Sequence, residues 1–433
     1  LALLLLVTIA MFFWFQSRYP DLNDKALMGG AIELQDPLSF EARYQIDPVW
    51  PVWKKIFYTT INWMFTNRRG MMFGVLFGAA MLTALRYMPK RGFKNAFANS
   101  FAGLLIGAPL GVCVNCASPV AAGMYTGGSR AETTLAAMIA SPTFNVIVLS
   151  MLISLFPVYM VVTKIGFTLA LILIAIPLIC RILPKEKLSL SGADVSACII
   201  SPTDLQNNKM ESFIESVWGF ARDFARDLWF IVKMTVPLMV LAGFLGSVIA
   251  TLIPFEMLSD LPVNALTVVG VAVIGVIAPV PMGFDIILAA ILLASGTSTT
   301  LIMVLLFTLG SYSIYSHIII ARTISSKLAF AMAGAIIAMG ILAGVTANFY
   351  SNWQVQKAME KLGISSLIED MSLFSVTMAH AEQIGGIYIS EAPEDISVSA
   401  SPFVERSKDG ETLFYRQEAW HRGIDRPNNF SIN

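Results

Sequence analysis

Charge is what this sequence has least of. Only 13% of its 433 residues are Asp, Glu, Lys or Arg, against roughly a quarter in a soluble domain. The 29 basic and 29 acidic residues cancel, so no basic field exists to attract nucleic acid. Four cysteines, Cys113, Cys116, Cys180 and Cys198, are too few and too scattered for a disulfide scaffold. The chain has no phosphate-binding glycine loop, no H-E-x-x-H and no G-x-S-x-G. An ATPase, a zinc hydrolase or a serine hydrolase is therefore unsupported. The expectation is a non-enzyme that needs no cofactor.

What is present is hydrocarbon. Hydrophobic residues make up 56% of the chain and mean hydropathy is +0.69, which places it in a membrane. The opening run, "LALLLLVTIAMFFWF", reads as a first span rather than a signal-peptide core. A span needs about 20 apolar residues, and further candidates lie at 70–88, 133–156, 161–180, 228–250, 299–320 and 328–348. Two more apolar stretches, 99–124 and 265–294, are interrupted by "GAPLGVCVNCASP" and "APVPMGFD". Proline and glycine break helices there, and broken backbone survives at membrane depth only when covered by protein or lining a cavity. Both stretches read as re-entrant hairpins.

A shift of 166 residues carries Thr133, Thr134 and Leu135 onto Thr299, Thr300 and Leu301, Ser129 onto Ser295 and Ser150 onto Ser316. It also superimposes the two hairpins and the spans that follow them. The expectation is an all-α polytopic membrane protein of two inverted-topology repeats, each with a broken re-entrant hairpin, and a partly irregular C-terminal tail. In this division 1–69 is a first span with an extracytoplasmic or interfacial segment. Residues 70–180 and 228–348 are the repeats, 181–227 a cytoplasmic linker and 349–433 an extracytoplasmic tail. Within 17–69, "DPVWPVWKKIFYTTINWMF" suggests a separate amphipathic helix in the membrane interface. Orientation follows from Lys and Arg. They crowd 181–227 and are lacking in 251–263, and basic loops stay inside.

Polar groups in apolar segments are functional candidates by default. In the first hairpin these are Cys113, Asn115, Cys116 and Ser118. In the span that follows, Ser141 and Asn145 stand with Thr134 and Thr143. In the second half they are Met282, Ser311 and Tyr312. The shift of 166 puts Ser311 in the place of Asn145 and sets Pro279 and Met282 opposite Cys113 and Cys116. The C-V-N-C pair can be a redox dithiol, a soft-metal ligand pair or two small buried hydrophobes. With no matching thiol in the second half, electron shuttling by one cysteine per half is disfavoured. Two thiols opposite a thioether suit a thiophilic solute, which makes Cys113, Cys116 and Met282 candidate metal or metalloid ligands. Asp285 is the only acid between 261 and 320. It is the first candidate for carrying a proton during transport, with His317 as a second coupling candidate beside Arg322.

"CVNCASPVAAGMYTGGSRAETTLAAMIASPTFNVIVL", with Cys113, Cys116, Pro119, Gly127, Gly128, Ser141 and Pro142, resembles the bacterial predicted permeases of the ArsP type. "PVPMGFD" and "LFTLGSYSIYS" are similar to the second-half signature of that family. The resemblance covers about 70–348 and implies a secondary transporter of the bacterial inner membrane, with efflux of trivalent organoarsenicals among the family's activities. The reading is thus a permease moving a small, thiophilic solute (a soft metal or metalloid) by alternating access, with lipid as its surroundings. Two alternatives stand beside it. One is a non-transporting membrane subunit whose tail docks a protein partner; the other is a membrane thiol–disulfide redox protein.

Overall fold

A computed structural model describes residues 1–21, 42–47, 49–87, 92–183, 213–252, 261–361, 404–406 and 413–415. The Cys198 site, most of the linker and most of the tail lie outside the described residues. The chain clusters into a large unit, Leu1–Ser366, and a small one, Leu367–Asn433. Within the small unit the described residues form an antiparallel pair of short strands, β1 (Val404–Arg406) and β2 (Leu413–Tyr415), with Glu405 opposite Phe414.

The large unit is helical throughout its described elements. Helix α1 (Ala2–Phe13) runs on through a π-helical turn and stacks Phe13 on Phe73 at 4.0 Å. Helix α2 (Val52–Tyr87) then opens a sequence of elements that occurs twice. A long helix is followed by two short helices, α3 (Ala96–Gly107) and α4 (Val114–Thr126). Next comes a bent pair, α5 (Ala131–Thr143) and α6 (Val146–Leu155), and then another long helix, α7 (Val158–Ile182). The second pass runs α8 (Phe213–Leu252), α9 (Ala265–Ile277), α10 (Phe284–Ala294), α11 (Thr299–Ser311), α12 (Ile314–Thr323) and α13 (Ser326–Lys361). Four of these helices are long and apolar enough to cross a membrane, or six spans if each bent pair counts as one. The protein is an all-α polytopic membrane protein.

The breaks fall where local chemistry puts them. Between α3 and α4 the chain passes a short 3-10 turn and Gly111, whose φ of 62° is left-handed, a conformation open to Gly at little cost. Between α9 and α10 two prolines precede Gly283 at φ 81°. The spans expected over 133–156 and 299–320 are not straight: α5 and α6 meet at 47°, α11 and α12 at 43°. Pro142 removes a backbone donor in the last turn of α5. Asn145 then restarts the helix, accepting from the Val148 N–H. In the second pass Tyr312 and Ser313 are both extended, and Ser313 restarts the chain with a capping box to Ser316.

Two expectations need correction. The amphipathic helix within 17–69 is not separate, because Val52–Tyr87 is one helix. Its polar Thr59, Asn62 and Asn67 are buried. The register is also different. Helices α5, α6 and α7 begin at 131, 146 and 158, and α11, α12 and α13 at 299, 314 and 326, a constant offset two residues longer than the one read from sequence. Helix caps therefore pair Asn145 with Ser313, not with Ser311. The second hairpin helices start at 114 and 284, so Cys113 matches Gly283 as cap and Asn115 matches Asp285 as second helical residue.

Close backbone approach holds the first hairpin in place. A Cβ on Gly74 would lie 2.2 Å from the Cys116 carbonyl, and one on Gly78 2.5 Å from that of Pro119. Small residues at four-residue spacing let α2 and α4 pack backbone to backbone, which is how helices associate without a hydrophobic driving force.

Candidate functional site

The first hairpin's break brings its polar atoms into contact with the second half. Asn115 is fully buried. Its Nδ2 donates to the Val280 carbonyl at 3.0 Å, inside the break of the second hairpin. Its Oδ1 accepts from Ser313 Oγ at 2.6 Å, at the bend between α11 and α12. One amide thus ties together three interrupted stretches whose backbone groups lack helical partners. Trp63 does similar work from α2. Its ring is fully buried, its Nε1 donates to Pro279 O at 2.6 Å, and Gly243 of α8 leaves the space the indole occupies.

The two thiols sit on the same turn as Asn115. Cys113 caps α4 and Cys116 lies in its first turn, with the Sγ atoms 3.0 Å apart. Both are almost fully buried. Cys113 Sγ is 3.9 Å from Asn67 Oδ1 on α2, and Tyr315 of α12 is near enough to both thiols for electrostatic interaction. Both thiols stand at the N-terminal end of α4. Chemically this is a pair of soft, adjacent sulfur donors in a buried setting. Among the described residues no three His, Cys, Asp or Glu side chains gather into a metal-holding group, so the pair is no closed four-ligand metal cage.

Other predicted residues are placed differently. Ser141 both accepts from the Val112 N–H (3.2 Å) and donates to the Val112 carbonyl (3.0 Å), fastening the first hairpin's break to α5. Ser118 donates to Val114 O within its own helix and touches Met138 Sδ at 3.8 Å. Asn145 spends its side chain on the bend, donating to Ser141 O and Pro142 O and accepting from Val148 N. It is a joint between two half-helices, and Ser311 likewise bonds back to Phe307 O of its own helix. Tyr312 is fully buried, and its hydroxyl reaches Ala329 O at 3.2 Å on α13. His317 packs edge-on between the Tyr312 and Phe330 rings. Met282 is buried within the second hairpin's break.

Asp285 is neither solvated nor isolated. Its Oδ2 accepts from Lys164 Nζ at 2.6 Å, with side chains 7% and 1% exposed. Gly310 forms the notch that receives the carboxylate, since a Cβ there would lie 2.3 Å from Oδ2. Lys164 escaped the sequence reading because a single lysine hardly lowers the hydropathy of α7. A charged residue inside each of two apolar helices, Lys164 in α7 and Asp285 in α10, was the available signal. A second buried pair, Arg86 with Asp227, joins α2 to α8, and Thr83 Oγ1 donates to the same carboxylate at 2.8 Å.

A family model described as "Predicted permease", ArsP_1, matches residues 72–349, from the middle of α2 to the C-terminal half of α13. No curated protein and no solved structure matches the chain. The match covers both hairpins, both bends and both buried ion pairs, well over half of the sequence, and the chain belongs to this family of predicted permeases.

Proposed function

We propose that this permease is a secondary transporter of the bacterial inner membrane that moves a small, thiophilic solute, a soft metal or metalloid compound, by alternating access. The two passes of elements act as inverted repeats, and the solute binds where their breaks cross. The observation that carries this reading is the geometry around Asn115. Its side chain bonds to both breaks of the second half, and on the same helical turn two sulfurs stand 3.0 Å apart. Solute sites of transporters lie between discontinuous helices, and adjacent thiolates select soft acceptors over hard ones.

In this scheme Cys113 and Cys116 bind the solute directly. Asn67, Asn115 and Tyr315 shape the surrounding wall, and Ser141 and Asn145 hold the hairpin and the bend in position. Transport is driven by an ion gradient through Asp285. The test uses phenylarsine oxide as probe, a trivalent arsenical with one thiophilic centre. Cys116→Ser nearly conserves shape, so the protein should still fold while probe binding falls by about tenfold or more. Unchanged binding in the Cys113→Ser/Cys116→Ser variant would return both cysteines to packing.

A further inference from the structure

The two hairpins carry matched positions with unmatched chemistry. Asn115 and Asp285 are each the second residue of a short helix that follows a break. Each reaches a residue in the other pass of elements: Ser313 for Asn115, Lys164 for Asp285. At the first position a neutral amide makes the connection and is fully buried. The second uses a charged pair where the same tie is available without charge. Taking two charges out of water costs more than an amide–hydroxyl contact returns, so holding the hairpin does not account for the charges.

We propose that Lys164 and Asp285 together are the coupling site of the permease, in which a proton on Asp285 and the contact with Lys164 exclude one another. This rests on the permease reading above. In the pair as it stands the carboxylate and ammonium neutralise each other and tolerate a dry site. Proton uptake from water at one membrane face converts the carboxylate to a carboxyl group and leaves Lys164 as a lone buried ammonium. That state is costly without water. Protonation therefore favours a conformation that hydrates the pair and separates α7 from the second hairpin; release of the proton on the other side closes it again.

The surroundings offer no competing charge. Helices α6 and α11, which pack against α10, carry no titratable side chain, and neither does α9. On α7 the other titratable groups are Tyr159 in the first turn and Cys180 and Arg181 in the last. On α13 they are Lys327 in the first turn and Tyr350, Lys357, Glu360 and Lys361 toward the other end; on α5 the one such group is Glu132, in the first turn. Among the described residues Asp285 is the acceptor bonded to the Lys164 ammonium. The lysine depends on the carboxylate, while the carboxylate also has the N-terminus of α10 beneath it.

Two reciprocal variants of the purified full chain test the exchange without any solute. In Lys164→Met an unpaired buried carboxylate takes up a proton. Dicyclohexylcarbodiimide, which attacks carboxyl groups in their protonated form, should then modify Asp285 at neutral pH about tenfold more than in the wild type. Lys164→Arg keeps the charge and should stay at the wild-type level. In Asp285→Asn the lone lysine sheds its proton, and fluorodinitrobenzene should modify Lys164 about tenfold more than in the wild type. Because each variant tests one partner, failure of one to fold leaves the other decisive; equal labelling of wild type and variant in the folded protein overturns the proposal. In proteoliposomes containing pyranine, wild type should move phenylarsine oxide together with protons, and Asp285→Asn, which cannot take up or release that proton, should still bind the probe but lose the coupled movement of both. Unchanged proton flux in Asp285→Asn removes the pair from coupling and leaves the permease reading intact. No probe movement by the wild type removes the thiophilic solute instead, and the labelling results then decide the pair.

Discussion

Replacing Asn115 by Leu probes the junction of the three breaks. The substitution keeps approximate size and removes both polar ends of a side chain with no solvent exposure. The Val280 carbonyl loses its 3.0 Å donor at a point where the chain is not helical, and a buried carbonyl left unsatisfied costs about 1–3 kcal/mol. Ser313 loses its 2.6 Å acceptor but keeps Ser316, whose Oγ lies 3.3 Å away. Its share is nearer the ~0.6 kcal/mol typical of interhelical hydrogen bonds in membrane proteins. The expected destabilisation is therefore about 2–4 kcal/mol. Ser313→Ala alone also removes a helix cap, worth about 1 kcal/mol. A double-mutant cycle cancels the cap and isolates the contact, for which the expected coupling is about 0.5–1.5 kcal/mol. Reversible unfolding in mixed dodecylmaltoside and SDS micelles, followed by tryptophan fluorescence, measures both quantities. Ser150→Ala is the control, since Ser150 bonds within its own helix to Ile147 O. Strictly additive effects of the Asn115 and Ser313 substitutions, or a neutral Asn115→Leu, would refute the junction.

Gly78→Leu should force α2 away from α4, because even a Cβ meets the Pro119 carbonyl at 2.5 Å; overpacking of this kind costs about 1–3 kcal/mol. Gly166→Leu, which meets nothing within 4 Å, should leave the size-exclusion profile unchanged, and equal behaviour of the two would contradict the helix contact. Arg86→Met strands a fully buried Asp227 and should cost about 3–5 kcal/mol, whereas Arg86→Met/Asp227→Leu should recover most of it. The same unfolding assay reads both, and a double variant as weak as the single one would argue against an ion pair. Trp63→Phe keeps the ring over Gly243 but loses the Nε1 bond to Pro279. It should destabilise by about 1–2 kcal/mol, with no effect speaking against that bond.

Much of this architecture is local, and local features were legible in sequence. In hydrocarbon every backbone group must be satisfied within its own segment or by protein. Apolar length and the Pro/Gly breaks at 108–113 and 278–283 therefore located the apolar segments and their interruptions directly. What went unread depends on partners distant in the chain. The N-terminal half of α2 carries Thr59, Asn62 and Asn67, whose burial in the fold is not visible in its local pattern. The bends at Asn145 and Ser313 are set by caps whose side chains read equally well as solute ligands. Loop lengths moved the register between the two passes, by two residues at the bent pairs and by four at the helices that start at 114 and 284, which set Asn115 opposite Asp285. Lys164 meets Asp285 across 121 positions and Asn115 meets Ser313 across 198. Sequence determined that polar groups enter the membrane and where the helices break around them. Only the tertiary structure decided which group neutralises which, because in a low-dielectric interior that choice is made by contact distance rather than by composition.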